Sequence, residues 1–203
     1  MRRLGTWLFR LLAGVGVLAV AGALGLAASG ISARQDPPRA EVVMARAARS
    51  LLIPAVAARA SNPLAPTPEA LSSARRHWAD HCASCHGNDG RGETALGRNL
   101  YPRAPDMTAP ATQGLSDGEL FWIIENGIKL TGMPAWGTSS PEDDAESWEL
   151  VHLIRHLPAL TEAELSEMQR HNPVSRAVLE QELEMERFLA GEDEPSTSEP
   201  PHP

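Results

Sequence analysis

The stretch Cys82-Ala83-Ser84-Cys85-His86 decides how the rest of this 203-residue chain is interpreted. It contains both cysteines of the chain, which excludes a disulfide-rich scaffold and a site built from four thiolates. The two cysteines are also too close in sequence to join distant parts of a fold. Two thiols at this spacing, followed directly by an imidazole, therefore need a different explanation.

The C-x-x-C-H spacing is that of a covalent attachment site for a c-type haem. Two thiols three residues apart reach the two vinyl groups on one edge of a porphyrin, and the next side chain is carried under the iron. We therefore interpret Cys82 and Cys85 as the thioether-forming residues and His86 as the proximal iron ligand. A cofactor in the core also fits the composition, because only 4% of the residues are aromatic.

Two other chemistries compete for the same three side chains. A redox disulfide of the thioredoxin type sits at a strand-to-helix junction, and no β-rich run precedes residue 82. A zinc site would need a fourth ligand, and no second Cys or His pair at ligand spacing supplies one. Both alternatives are weaker than haem attachment.

A second axial ligand is expected, since an electron-carrying haem works best with both axial positions filled. Met133 is the candidate, because Gly132 and Pro134 place it in a loop and outside any apolar stripe. Met107 is a rival sulfur, but it follows His86 by only 21 residues. His152 is the best candidate for bis-histidine ligation.

Residues 67–158 resemble the class I monohaem cytochromes c, above all small bacterial members with Cys-Ala-Ser-Cys-His-Gly and Gly-Met-Pro-Ala-Trp. The resemblance implies an all-α, cytochrome c-like domain holding one covalent, iron-containing haem c. It implies His86 and Met133 as axial ligands and single-electron transfer in the bacterial periplasm. It also places Arg98 or Arg103 near the haem propionates.

Local signals predict three helices in this domain. The first begins at Thr67 and runs to about His81, because a hydroxyl precedes a proline and an acid. The second begins with a capping box at Ser116 and ends at Gly127. The third runs from Ser140 to Pro158. In this family the first and last helices cross, so we expect contacts that involve Ala74, Trp78, Ala79, Trp148, Val151 and Ile154.

The amino terminus has the pattern of an export signal. Arginines at positions 2, 3 and 10 precede eighteen uncharged residues at 11–28. This apolar run exceeds the ~7–15 residues of a cleavable signal core and approaches the ~20 that cross a bilayer. We expect a retained anchor in the inner membrane, with a soluble periplasmic protein after cleavage as the alternative.

The rest of the chain is divided by composition. Helical signals recur at about 39–52, 162–171 and 172–190, and the acidic residues after 191 indicate disorder. The expected parts are a signal or anchor at 1–33, a linker with a short amphipathic helix at 34–66, the haem domain at 67–158, a helical extension at 159–190 and a disordered, proline-rich tail at 191–203.

Charge favours protein partners over nucleic acid. Residues 61–203 carry ten Lys and Arg against twenty-four Asp and Glu, whereas phosphate binding needs clustered cations. We expect an electron-transfer protein without a substrate pocket, serving a terminal oxidase, a reductase or a dehydrogenase, either on its own or as a subunit of an oxidoreductase complex. The alternatives are a dehydrogenase subunit and a haem-based gas sensor with a labile methionine.

Overall fold

The computed structural model describes residues 2–30, 32–138, 140–174 and 176–190, and the regular structure in these ranges is helical, without strands. The all-α expectation is confirmed. The tail at 191–203 lies outside the described residues. The α-helices are α1 (Arg2–Ser29), α2 (Arg39–Leu52), α3 (Ala55–Ala58), α4 (Pro68–His77), α5 (Ala83–His86), α6 (Pro110–Gln113), α7 (Asp117–Asn126), α8 (Pro141–His156), α9 (Glu162–Gln169) and α10 (Arg176–Ala190).

The helices begin where side chains can accept the unpaired amide hydrogens of a first turn. Thr67 accepts from the amide of Ala70, and Ser140 accepts from that of Asp143, as expected from their sequences. Complete capping boxes are present at Ser116 with Glu119 and at Thr161 with Glu164. The helix beginning predicted near Asn172 differs, because α10 begins at Arg176.

The core of the domain is the crossing of α4 with α8. Ala74 on α4 is 1% exposed, and Val151 and Ile154 on α8 are 0% and 1% exposed. They belong to one apolar cluster that also contains Trp78 and Trp148. The small side chain of Ala74 permits close approach of the two helices. The expected crossing is therefore confirmed.

Helix α7 also contributes side chains to the apolar cluster between α4 and α8. Leu120 and Ile124 are buried within it. The indole of Trp148 stacks on the ring of Phe121, with centroids 4.1 Å apart and an interplanar angle of 8°. Trp148 thus contacts α7, a partner that the sequence did not identify.

The segment before α4 contacts the domain at several points. The Ser116 hydroxyl donates to the carbonyl of Ala58 at 2.6 Å, and the Asn62 amide donates to the carbonyl of Trp148 at 2.8 Å. Gly118 lies so close to this segment that an added Cβ would collide with the carbonyl of Ala57. Residues 57–64, which the sequence places in a linker, therefore pack on α7 and α8.

Helix α9 also packs on the domain. Arg75 on α4 forms ion pairs with Glu164 and Glu167, at 3.2 and 3.0 Å. Met168 is fully buried in the same core cluster. The first part of the region beyond residue 159 is therefore held against α4.

Helix α1 is apolar and lies apart from the core. Residues Gly5–Gly25 form a 21-residue stretch with mean hydropathy 2.0, of which none is buried. At 1.5 Å per residue, the stretch is about 30 Å long, the thickness of a hydrocarbon layer. By length and composition it can cross a membrane, although a signal sequence meets the same criterion.

Candidate functional site

The C-x-x-C-H stretch lies on a helical continuation of α4. After His77 the backbone widens into one π-helical turn, Trp78–Cys82, and then returns to α-helix at Ala83–His86. The first helix therefore does not end at His81, as its sequence indicated. Such π turns are frequent at functional sites. This one places Cys82, Cys85 and His86 on a continuous helical path, with the two thiols about one turn apart.

His86 is held in a buried position at the end of α5. Its exposed fraction is 8%, and its ring lies 5.7 Å from that of Trp78, centroid to centroid. The Trp78 indole donates to the carbonyl of Gly87 at 2.9 Å, which ties the end of α5 to the core. Gly87 has a φ of 72°, so a glycine is required to turn the chain there.

Burial favours the neutral form of the His86 imidazole. It lowers the pKa of His86, and the nearby carbonyl of Pro105 opposes this effect in part. The buried Nδ1 atom nonetheless has no hydrogen bond of ordinary geometry. A neutral imidazole is the form of histidine that binds a metal.

The two thiols are free, and that of Cys82 differs from a reactive thiol. Cys82 and Cys85 are half-buried and not joined by a disulfide. Burial raises the pKa of Cys82 to about 12, and the neighbouring charge of Cys85 acts in the same direction. A redox-active C-x-x-C thiol has a lowered pKa instead, so the environment of Cys82 does not favour the thioredoxin-type alternative.

The zinc alternative also lacks support. Within the described part of the chain, no three His, Cys, Asp or Glu side chains are grouped in a way that could hold a metal ion.

An open cleft of about 560 Å³ lies beside the C-x-x-C-H stretch. Three histidines line it, together with Trp136, Arg76 and several carboxylates. It includes none of the four side chains proposed to bind haem.

The glycine-rich loop at 87–97 holds the C-x-x-C-H segment by hydrogen bonds and by close packing. The Thr94 hydroxyl lies 2.8 Å from the carbonyl of Ser84 and 3.1 Å from that of Cys85. The amide of Gly92 donates to the carbonyl of His86 at 2.7 Å. Gly97 lies so close that an added Cβ would collide with the Cys85 carbonyl. The role of Thr94 had no sequence signal, because a lone threonine in a loop matches no motif.

The loop that carries Met133 is fixed to the carboxyl end of α7. The amide of Ile128 donates to the carbonyl of Met133, and the amide of Trp136 donates to that of Ile124, both at 3.1 Å. The Thr131 hydroxyl accepts from the amide of Met133 at 3.1 Å. Gly127, with a φ of 63°, leaves room for the backbone at 133–135. Met133 therefore has a defined place outside the apolar core.

The rival ligands have other partners. Met107 packs against the core cluster, and its amide donates to the carbonyl of Gly90 at 2.8 Å. His152 has its Nε2 atom 2.9 Å from the carbonyl of Leu64. These contacts place Met107 and His152 in the packing of the domain, and Met133 stays the predicted sulfur ligand.

The two arginines considered for the propionates pair with acids of the chain. Arg98 lies 3.3 Å from Glu93, and Arg103 lies 3.0 Å from Asp36. Both arginines are exposed, and ion pairs at the surface hold a side chain only weakly. Leu100 lies against Gly132, next to Met133.

The residues present fit a covalently bound haem. A buried, neutral imidazole and two unpaired thiols share one helical path, and a methionine outside the core is fixed in a hydrogen-bonded loop. Two sulfurs for the covalent links and a nitrogen for the iron are the donors that attachment of haem c needs, and a methionine sulfur is one of the further axial ligands that cytochromes c use.

Comparison with known proteins indicates the same cofactor. Residues 69–154 match the sequence model of a family described as cytochrome C oxidase, cbb3-type, subunit III. No curated protein matches the chain. The matched region contains the whole C-x-x-C-H stretch, the Met133 loop and the crossing of α4 with α8. The chain therefore carries a domain of the c-type cytochrome family at residues 69–154, and the general function of that family is haem-based electron transfer.

Proposed function

We propose that the domain at 67–158 binds one haem c, linked to Cys82 and Cys85 and ligated by His86 and Met133, and that it carries one electron at a time. The observation that supports this most directly is the environment of His86. Its neutral imidazole is buried directly after two free thiols on a helical path. A bound haem supplies an iron that changes its oxidation state by one electron, and the side chains set its potential.

The protein's own contribution is to hold the ligands still. Two hydrogen bonds fix the segment that carries His86, one from the Trp78 indole to the carbonyl of Gly87 and one from the Thr94 hydroxyl to the carbonyl of Ser84. Hydrogen bonds to α7 and to Thr131 fix the loop that carries Met133. A fixed backbone at Met133 favours permanent ligation over the labile ligation that a gas sensor needs. This supports an electron carrier rather than a sensor.

The partners are redox proteins of the same compartment. The description of the matched family points to a terminal oxidase, while a reductase or a dehydrogenase would use the same chemistry. Residues 61–203 have an acidic balance, with twenty-four acidic against ten basic side chains. Electrostatic steering therefore favours a basic docking surface on the partner. The chain itself is proposed as an electron-transfer subunit and not as a catalyst.

A redox titration of the matured protein tests this function. We expect a single one-electron wave in the visible spectrum, because one haem is present. The ferrous protein should bind carbon monoxide slowly or not at all, since Met133 would already be bound to the iron. Two waves would contradict a single haem, and rapid carbon monoxide binding would favour the sensor.

Location at the membrane is a further part of the proposal. Helix α1 is long and apolar enough to span a bilayer, and three arginines lie at its amino end, which favours retention with the domain in the periplasm. Amino-terminal sequencing of the protein in the membrane fraction should therefore begin at Met1 or at Arg2. A sequence that begins near residue 31 or 34 would instead identify a cleaved signal and a soluble protein.

A further inference from the structure

Helix α2 has an unusual distribution of side chains. Ala40, Met44, Ala47 and Leu51 recur at helical spacing and form one face, which we call the outer face. All four are exposed, with Met44 at 65% and Leu51 at 82%. The face that a soluble helix would present to water is therefore apolar.

The opposite face of α2 is directed toward the domain and includes polar groups. Val42 and Arg49 are half-buried there, and the Nε atom of Arg49 is buried. Glu41 accepts a hydrogen bond from the Tyr101 hydroxyl at 2.8 Å. The carboxylate of Asp36, just before the helix, pairs with Arg103 at 3.0 Å. Helix α2 is thus attached to the domain by its polar side.

The outer face cannot be far from the membrane if α1 is retained. Nine residues, 30–38, separate the end of α1 from the beginning of α2. At ~3.5 Å per extended residue, they allow a separation of at most about 35 Å. Part of this segment is also held at the domain, because Asp36 forms an ion pair with Arg103. A bilayer surface is therefore the apolar medium nearest to the outer face.

The charges near α2 match the same surface. Residues 1–60 contain eight arginines and two acids, in contrast to the acidic remainder. Arg39 and Arg46 are exposed on α2 itself. An apolar face with arginines at its borders is typical of helices that lie in the interface of a membrane with anionic lipids.

We propose that α2 is an interfacial helix, whose outer face enters the headgroup region of the bilayer that α1 spans. This inference rests on the proposed retention of the anchor. The occupant of the outer face is the lipid surface, and neither a second copy of the chain nor a partner protein. Because Tyr101 and Arg103 bind the α2 segment, the side of the domain with residues 100–103 faces the membrane. Leu100 in that stretch contacts Gly132, so the Met133 loop has a set orientation relative to the membrane.

Spin labels on the full, haem-loaded chain test this placement. The chain is reconstituted in nanodiscs that contain phosphatidylglycerol, and a label is attached to Leu51→Cys. A label on Ser166→Cys, an exposed position on α9, serves as the matched control. The label at 51 should be roughly threefold more accessible to oxygen, and roughly threefold less accessible to a water-soluble nickel complex, than the control.

A second variant separates lipid contact from a local effect at residue 51. Adding Met44→Asp to the labelled chain should move the label back toward the accessibility of the control, because a carboxylate in the outer face opposes insertion. Met44 is exposed, so this change removes no core packing. The haem spectrum should stay the same.

Three results would overturn the interfacial helix. In the first, the label at 51 is as accessible to the nickel complex as the control. In the second, it is shielded from both oxygen and the nickel complex, as it would be beneath another protein. In the third, its accessibility does not change when Met44→Asp is added. Failure of the proposed function has a different signature. If Cys82 and Cys85 were not linked to haem, the chain without an added cysteine would take up label. If the anchor were cleaved, the mass of the chain would reveal it.

Discussion

A Met133→Leu variant is expected to lose the weak far-red charge-transfer band of oxidised, methionine-ligated haem at neutral pH. Leucine preserves the size of the side chain but offers no sulfur to the iron. The reduction potential should fall by on the order of 0.1 V, because axial ligands tune haem potentials over about 0.8 V. The ferrous variant should also bind carbon monoxide readily. Absorption spectra and a redox titration measure all three effects.

The matched control is Met107→Leu. The Met107 side chain packs against the core cluster, and its backbone amide donates to the carbonyl of Gly90. Neither contact depends on the sulfur atom. The change conserves volume, so we expect a loss of stability below about 1.5 kcal/mol. The far-red band should remain. If the band disappeared in this variant and persisted in the Met133 variant, the assignment of the axial sulfur would be reversed.

A Gly97→Ala variant is expected to destabilise the haem-loaded domain by about 3 kcal/mol. An added methyl group would collide with the carbonyl oxygens of Cys85 and Gly92, which are backbone atoms that cannot rotate away. Overpacking of this kind typically costs about 1–3 kcal/mol, and a rigid backbone contact belongs at the upper end. Denaturant unfolding, followed by absorption and by circular dichroism, measures the loss. The fraction of chain with attached haem should fall as well.

Gly114→Ala is the control for this substitution. Gly114 has an ordinary φ of −81°, and an added Cβ would meet one carbonyl, that of Pro110, at 3.0 Å. We expect a change in stability of less than about 1 kcal/mol, because a shift of a few tenths of an ångström relieves that contact. Equal effects of the two alanines would argue that the 87–97 loop does not clamp the attachment segment.

The parts of the fold that local chemistry determines were predictable from the sequence. The capping boxes at Ser116 and Thr161 depend on residues three apart, and both are present. The bounds of the helix Arg39–Leu52 follow from the flanking prolines and agree with the expectation. The C-x-x-C-H stretch is likewise a local pattern, and the family match includes it.

The parts that depend on contacts between distant residues were not predictable. The stacking of Trp148 on Phe121 and the bond from Ser116 to Ala58 join elements that only the tertiary fold brings together. The π turn Trp78–Cys82 has no composition that would distinguish it from α-helix. The attachment of α2 to Tyr101 belongs to the same class, because a tyrosine in a loop gives no sign of its partner.

The proposed function depends on a covalent link between haem and the thiols of Cys82 and Cys85. The intact mass of the protein, purified after expression with the cytochrome maturation machinery, shows whether this link has formed. We predict the mass of the polypeptide plus one haem, and we predict that denaturation does not release the pigment. A colourless protein with the mass of the bare polypeptide would show that no haem is attached and would rule out the proposed function.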